Sequence, residues 1–414
     1  MTVFDPGVVS RRSQPADAFL AGLQRPSQPI RGQNIVAAGN HNRELILHHI
    51  RAHGAISRAE LAELTGLTQT GVFKITRDLL AENWLLSTVM RDGSRGQPTS
   101  VVSLNPDGAY ALGLNVDRDH ITFVVLDFAG GVRETVRRDI TNPTPRDVQQ
   151  VFSKCFLTTQ ARHSHIKPAT VGVGVSIPDD FARTADSPWL RDQWNEVSVE
   201  GLLSAVTDLP IVRENDAAAA AIGELTFGAG LHANSFFYLY LSVGLGGGLV
   251  LNRHYFRGSH GRSGELGYLP QINPFRSSRS AFGALIEETV SVPGLLRALR
   301  HAGVTATRLE GVDWSDQAVQ AAVGEWSASA ADLLYLPVLS IVCGVDPDAV
   351  FIGGQLPPVV TEHLAQEMNK RLSLNVGINW PEKIVRPGKL AADAAAVGAA
   401  VLGFRGMWTR DANR

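Results

Sequence analysis

The sequence predicts an α/β protein carrying a small helical head, and three observations lead there. Between His41 and Leu86, apolar residues recur at helical spacing in three short runs. After Tyr110 the texture changes to strand-like runs alternating with helical ones, the layout of α/β lobes. With 414 residues and 44% apolar content the chain can bury two or three cores, so several domains are expected.

Residues 1–33 are rich in Pro, Gln, Ser and Arg without a sustained apolar period, which predicts a flexible tail. Residues 34–108 form the head. Leu45, Ile46 and Ile50, then Leu61 and Leu64, then Val72, Ile75, Leu79 and Leu80 each mark one buried helix face. Ser57 is placed to cap the second helix, Glu60 completes a capping box, and Gly66 supplies the left-handed stop. A third helix then starts near Thr68 and turns Gln69, Thr70, Phe73, Lys74 and Arg77 outward. Amide, hydroxyl, aromatic and basic groups in that row suit base edges and phosphates in a major groove. The next segment, "WLLSTVMRDGSRGQPTSVVSLN", reads as two strands around a basic tip with Arg91, Arg95, Gly96 and Gln97. Together these elements predict a winged helix-turn-helix that binds double-stranded operator DNA; a helical module for protein contact is the alternative.

Further on, "ALGLNV" and "ITFVVLDFAG" predict a hairpin, "TVGVGVSIP" a buried strand, "FFYLYLSVGLGGGLVLN" two strands around glycines, and "AVFIGGQL" a strand ending in glycines. Two similar halves are expected, one starting near Ala111 and one near Ser235. A net charge of -2 excludes wholesale electrostatic coating of nucleic acid and leaves room for one basic face, so two copies are expected on DNA. Cys155 and Cys343 lie far apart in apolar surroundings and predict reduced thiols, hence a cytoplasmic protein. No apolar run looks long enough to span a bilayer, so no membrane is expected.

Four segments, "VRENDAAAAAIGE", "YLSVGLGGGLVLNRHYFRGSHGRSGELGYLP", "VFIGGQLP" and "LAADAAAVGAAVLGF", fall in an order that resembles the ROK family of repressors, open reading frames and sugar kinases. The resemblance implies an actin-like (ribonuclease H-like) two-lobed domain of sugar kinase type: lobe I over 109–230 with the C-terminal helix 391–405, and lobe II over 231–390. It also implies sugar contacts from Asn215, Asp216 and Glu265, with Glu287 reaching the sugar from outside. In the family's kinases the counterpart of Asp216 takes the proton of the attacking hydroxyl. The substrate-side loop "SPWLRDQWNEVSVEGLL" offers Trp194, with Trp189 second, as a stacking ring; each Trp also reads as a core aromatic.

Departures from the family pattern redirect the function. Where the kinases carry "D-x-G-G-T", this chain has Asn115, Val116, Asp117, Arg118 and Asp119, placing carboxylates where phosphate oxygens would lie. Leu245 replaces a phosphate-binding Thr. Many members of the family also carry a structural zinc, but the corresponding loop here, "INPFRSSRSAFGALIEETVS", contains no Cys and Tyr268 replaces the His of "GE-x-GH", so neither a cofactor nor a metal is expected. Arg276 and Arg279 in that loop suit an acidic or phosphorylated sugar, or are a solvated basic loop. The expectation is a non-enzymatic regulator: a homodimeric or homotetrameric repressor of carbohydrate-metabolism genes controlled by a sugar or sugar-derivative effector. An ATP-dependent sugar kinase with a fused DNA-binding domain is the second reading, and a module docking on a transport protein the third.

Overall fold

The computed structural model describes residues 35–90, 99–163, 166–179, 181, 188–194, 197–275, 284–374 and 381–404. The tail expected over 1–33 and the wing tip lie outside them. The head comprises α1 (Ile35–His53), β1 (Ile56–Ser57), α2 (Arg58–Thr65), α3 (Gln69–Ala81), β2 (Leu85–Met90) and β3 (Thr99–Leu104). Its sheet has the order β1-β3-β2, and β2 and β3 are antiparallel, as a wing requires. The expected capping box on α2 is present, Gly66 is left-handed at φ 68°, and the Thr68 hydroxyl accepts from Gly71 N–H to open α3. Leu64, expected inside, is 46% exposed.

Lobe I carries β4 (Tyr110–Val116), β5 (His120–Asp127), β6 (Val132–Asp139), α4 (Pro145–Arg162), β7 (Thr170–Ser176), α5 (Pro188–Trp194), β8 (Ile211–Glu214) and α6 (Asp216–Phe227). Lobe II carries β9 (Phe236–Leu241), β10 (Leu245–Leu251), β11 (His254–Tyr255), α7 (Val292–His301), α8 (Gln317–Val345), β12 (Ala349–Gly354), α9 (Pro358–Leu372) and β13 (Val385–Pro387). Helix α10 (Ala394–Phe404) returns to lobe I. The sheet orders, β6-β5-β4-β7-β8 and β11-β10-β9-β12-β13, are the same arrangement twice. In each, three strands pair antiparallel and the fourth and fifth join in parallel. That duplication is the actin-like fold expected from the sequence.

Glycine in β4 and β7 lets α10 lie directly on the lobe I sheet. A Cβ at Gly113 would collide with Ala396 O, and one at Gly174 with Ala399 O. Helix α8, 29 residues long, corrects one expectation: by length and composition alone it could cross a membrane. Here it is the central core helix of lobe II, burying Trp326, Leu334, Val338 and Val342. Asp332 within it pairs with Arg371 of α9 at 2.9 Å.

From Asn40 onward the chain is one compact unit. A single apolar cluster takes Ile46, Ile50, Leu61, Val72 and Leu79 from the head together with Val124, Leu126, Phe128, Val397 and Phe404 from lobe I. Head and lobe I thus share a core.

Candidate functional site

The parallel strands β4, β7 and β8 all deliver their C-terminal ends to one edge of the lobe I sheet. Loops leaving such ends are where α/β folds bind ligands. Asp117 follows β4, Asp179 follows β7, and Asn215 and Asp216 follow β8. Opposite them, lobe II contributes the β9–β10 turn and the segment from Tyr255 to Tyr268. The result is a cleft lined by Asn215, Asp216, Glu265, Tyr268 and Glu287, so five of the six expected sugar-site residues meet in one place.

Asn215 caps α6: its side-chain oxygen accepts from Ala217 N–H at 3.0 Å and Ala218 N–H at 3.3 Å, which leaves its amide NH₂ as the group a ligand can meet. Asp216 opens the helix and is 8% exposed. Its carboxyl is pushed up to about 7, first by burial and then by the Asp117 carboxylate. Asp117, 2% exposed, is also raised by burial, and its Oδ2 has no hydrogen-bond partner. Burial and like charge together favour a proton on this pair. The Glu287 carboxylate sits against Gly244 and Gly267, where an added Cβ would come within 3.0 Å of Oε2. Tyr268 is 47% exposed at the rim.

Trp194 requires correction. Its ring is 7% exposed in the lobe I core, packed edge-on against Phe181 at 5.2 Å, and its Nε1–H donates to Pro143 O at 2.9 Å. The ring is therefore structural, because the loop that carries it folds into a short helix over the lobe I sheet. Trp189 lies in the same helix, but its side chain is outside the described residues, as are Arg276 and Arg279.

The two loops of the phosphate half also differ from expectation. Only Asp117 of the two carboxylates lines the cleft, beside Arg118; Asp119 turns to His120, with Oδ1 and Nδ1 2.5 Å apart. The glycine run is strand rather than open loop: Leu245 to Val250 pair with Leu241 to Phe236. Its glycines are set by packing, since a Cβ at Gly246 would meet Ala217 Cβ at 2.8 Å and one at Gly247 would meet Gly264 O at 2.7 Å. Leu245 borders the cleft, with its side chain in the lobe II core. Among the described residues, Asp117, Asp119 and His120 bring possible ligand atoms within 4.8 Å of one another and are the set that could hold a cation. Cys155 is buried in α4 and Cys343 exposed on α8, both remote from the cleft.

Sequence reasoning missed Asp179, Tyr240, Ser242, Tyr255 and Ser263, all cleft-lining. The position of Asp179 just past a parallel strand was the available signal; the others face inward only because lobe II closes over lobe I.

On the head, Gln69, Thr70, Phe73, Lys74 and Arg77 are all exposed along α3. Arg58 fixes the helix, donating to Thr76 Oγ1 at 2.9 Å while its guanidinium lies 5.7 Å from the Phe73 ring centroid. Arg77 is paired with Asp78 at 3.0 Å, a contact the sequence reading overlooked. Arg91, Arg95, Gly96 and Gln97 lie outside the described residues.

A winged helical head on two duplicated lobes, closed around a carboxylate-lined cleft, defines a regulator-type member of the actin-like class. More specifically, the chain belongs to the ROK family, whose sequence profile matches residues 111–405. It is 24% identical over 366 residues to the xylose repressor of Bacillus spizizenii, covering 86% of this chain and 93% of that protein. The fold is similar to that of a ROK family transcriptional regulator homologous to E. coli MLC, with a TM-score of 0.61 and 18% identity over 90% of this chain and 97% of that one. It is also similar to a Streptomyces griseus ROK glucokinase solved with glucose and AMPPNP, with a TM-score of 0.55 and 22% identity over 72% of this chain and 100% of that one.

Proposed function

We propose that the chain is a sugar-responsive transcriptional repressor of carbohydrate-metabolism genes whose cleft no longer transfers phosphate. The observation that carries this reading is the loop after β4. Asp117 and Arg118 line the cleft where the resemblance puts the kinases' phosphate-binding glycines, and Asp117 is buried there. Asn215, Asp216, Glu265 and Glu287 can donate to and accept from the hydroxyls of a neutral sugar, whereas a triphosphate meets two side chains where glycine amides would be open to it. Asp216 then acts as a hydrogen-bond acceptor for a hydroxyl. Similarity to relatives named xylose repressor, extending over the head as well as the lobes, supports the same reading and makes xylose the first aldose to test.

In this proposal α3 reads operator DNA through Gln69, Thr70, Phe73, Lys74 and Arg77, the wing adds Arg95 and Gln97, and two or four copies supply the affinity. The working units are the head (34–108), lobe I (109–230 with 391–405) and lobe II (231–390). Thermal-shift screening against a panel of aldoses tests the cleft, because a ligand specific to the folded state raises the midpoint by mass action. A shift abolished by Asp216→Asn and Glu265→Gln is expected. The kinase reading rests on Asp216 and on the likeness to ROK glucokinases; the glycine run has a packing cause. Sugar-dependent ADP release from ATP, lost in Asp216→Asn, would overturn the proposal.

A further inference from the structure

A second cavity, about 300 Å³, lies where α1, lobe I and the β10–β11 turn of lobe II meet. Its polar wall is cationic. Arg51 comes from α1; Arg253 and His254 come from the turn; His48 stands between them. Glu44 is the only carboxylate in the lining, and among the described residues neither guanidinium has an ion-pair partner. Arg51 Nε is buried without a hydrogen-bond partner, and its guanidinium rests 4.8 Å from the Phe227 ring centroid. Arg253, left-handed at φ 65° in the two-residue β10–β11 turn, donates to Leu231 O at 3.1 Å and Ala233 O at 2.8 Å. Its other nitrogen lies 3.0 Å from His48 Nδ1, so that imidazole accepts and stays neutral. The remainder of the wall is apolar, including Phe128, Phe227 and Phe404.

Desolvated guanidiniums facing one another without a counter-ion are costly, and the cost is visible in both groups. Burial, then Arg253, brings Arg51 down to about 10, and burial also lowers Arg253. A bound anion offsets this cost by bonding to the Arg51 guanidinium; Arg253, whose Nη1 and Nη2 already meet Leu231 O, Ala233 O, His48 Nδ1 and Leu225 O, contributes its charge. The segment preceding α1 is a poor occupant by charge, with Arg11, Arg12, Arg25 and Arg31 against Asp5 and Asp17.

We infer that this cavity is a binding site for a small organic anion with an apolar body, separate from the carboxylate-lined cleft. The Arg51 guanidinium takes the anionic group, the charge of Arg253 favours it, and the aromatic wall takes the body. The inference stands whether or not the cleft binds a sugar.

Isothermal titration calorimetry of the full chain with phenyl phosphate, inorganic phosphate and benzyl alcohol tests it. Phenyl phosphate is expected to bind one site per chain in the millimolar range or tighter, inorganic phosphate about tenfold more weakly, and benzyl alcohol not at all. Arg51→Met and Arg253→Met should each weaken phenyl phosphate by about tenfold or more, and Asp216→Asn should leave it unchanged. His254→Glu, a change at an exposed position, places a competing carboxylate at the rim and should also weaken binding. Absence of heat with the unaltered chain, equal affinity in His254→Glu and both Arg variants, or loss of binding in Asp216→Asn would each overturn the inference.

Discussion

Asp216 concentrates the chemistry of the cleft in one residue, and its charge state has a measurable consequence. Its folded value, raised to about 7 by burial and by Asp117, exceeds the ordinary carboxylate value of 3.8. Between these two pH values the unfolded chain has lost the proton while the folded chain keeps it, so stability contributed by this group is present at low pH and declines as pH rises toward 7. Asp216→Asn should therefore flatten the fall in thermal midpoint between pH 5 and 8 and raise the midpoint at pH 8 by roughly 2 °C, read by differential scanning fluorimetry. An unchanged slope would mean that the two carboxyls do not share a proton. Trp194 makes the opposite case. Trp194→Phe keeps the packing against Phe181 but removes the bond to Pro143 O, so it should cost about 1 kcal/mol in urea unfolding and leave aldose affinity in the cleft unaltered. Asp216 was legible because its neighbours spell a motif; Trp194 was misplaced because a ring that stacks on a sugar and one that fills a core look alike in sequence.

Among elements, those fixed by local chemistry were the most legible. Ser57, Glu60, Gly66 and Thr68 announce the ends of α2 and the start of α3 within a few residues, and the structure has each in its expected capping role. Strand β6, "VRETVRRD", escaped notice because an edge strand open to water carries charges in place of an apolar alternation. The glycines of β10 were visible, but their cause was not, since Ala217 and Gly264 reach them only through tertiary packing. The exposed face of α3 carries its own test. Lys74→Ala and Arg77→Ala should each weaken operator binding and reduce its dependence on salt by about one counter-ion per contact. Asp78→Ala should do the reverse, because the ion pair at 3.0 Å holds Arg77 back from phosphate and adds like charge to the face. Gel-shift titrations at several salt concentrations read all three; if Asp78→Ala weakens binding, this face does not contact phosphate.

At the scale of the molecule, a cleft and a DNA-reading head communicate only if the parts between them move or open together. Phe128 sits at the centre of the shared core: it is 3% exposed, 5.4 Å from Trp84 of the head and 5.6 Å from Phe404 of α10. Helix α10 in turn lies on β4 and β7, the strands that deliver Asp117 and Asp179 to the cleft. The sequence foretold the parts but not this joint, because Phe128, Trp84 and Phe404 are distant along the chain and follow no period. A shared core implies that the head does not open independently of lobe I. Native-state hydrogen exchange should accordingly give α1 and β5 similar opening free energies in the intact chain. Phe128→Ala, which costs about 3–5 kcal/mol of packing, should split them so that α1 exchanges first while β4 and β5 remain protected. The same variant should keep aldose binding in the cleft and lose the aldose effect on operator affinity, because ligand closure of the lobes then has no packed route to α3. If α1 already exchanges well ahead of β5 in the intact chain, the head is tethered rather than packed, and the sugar signal must travel by another path.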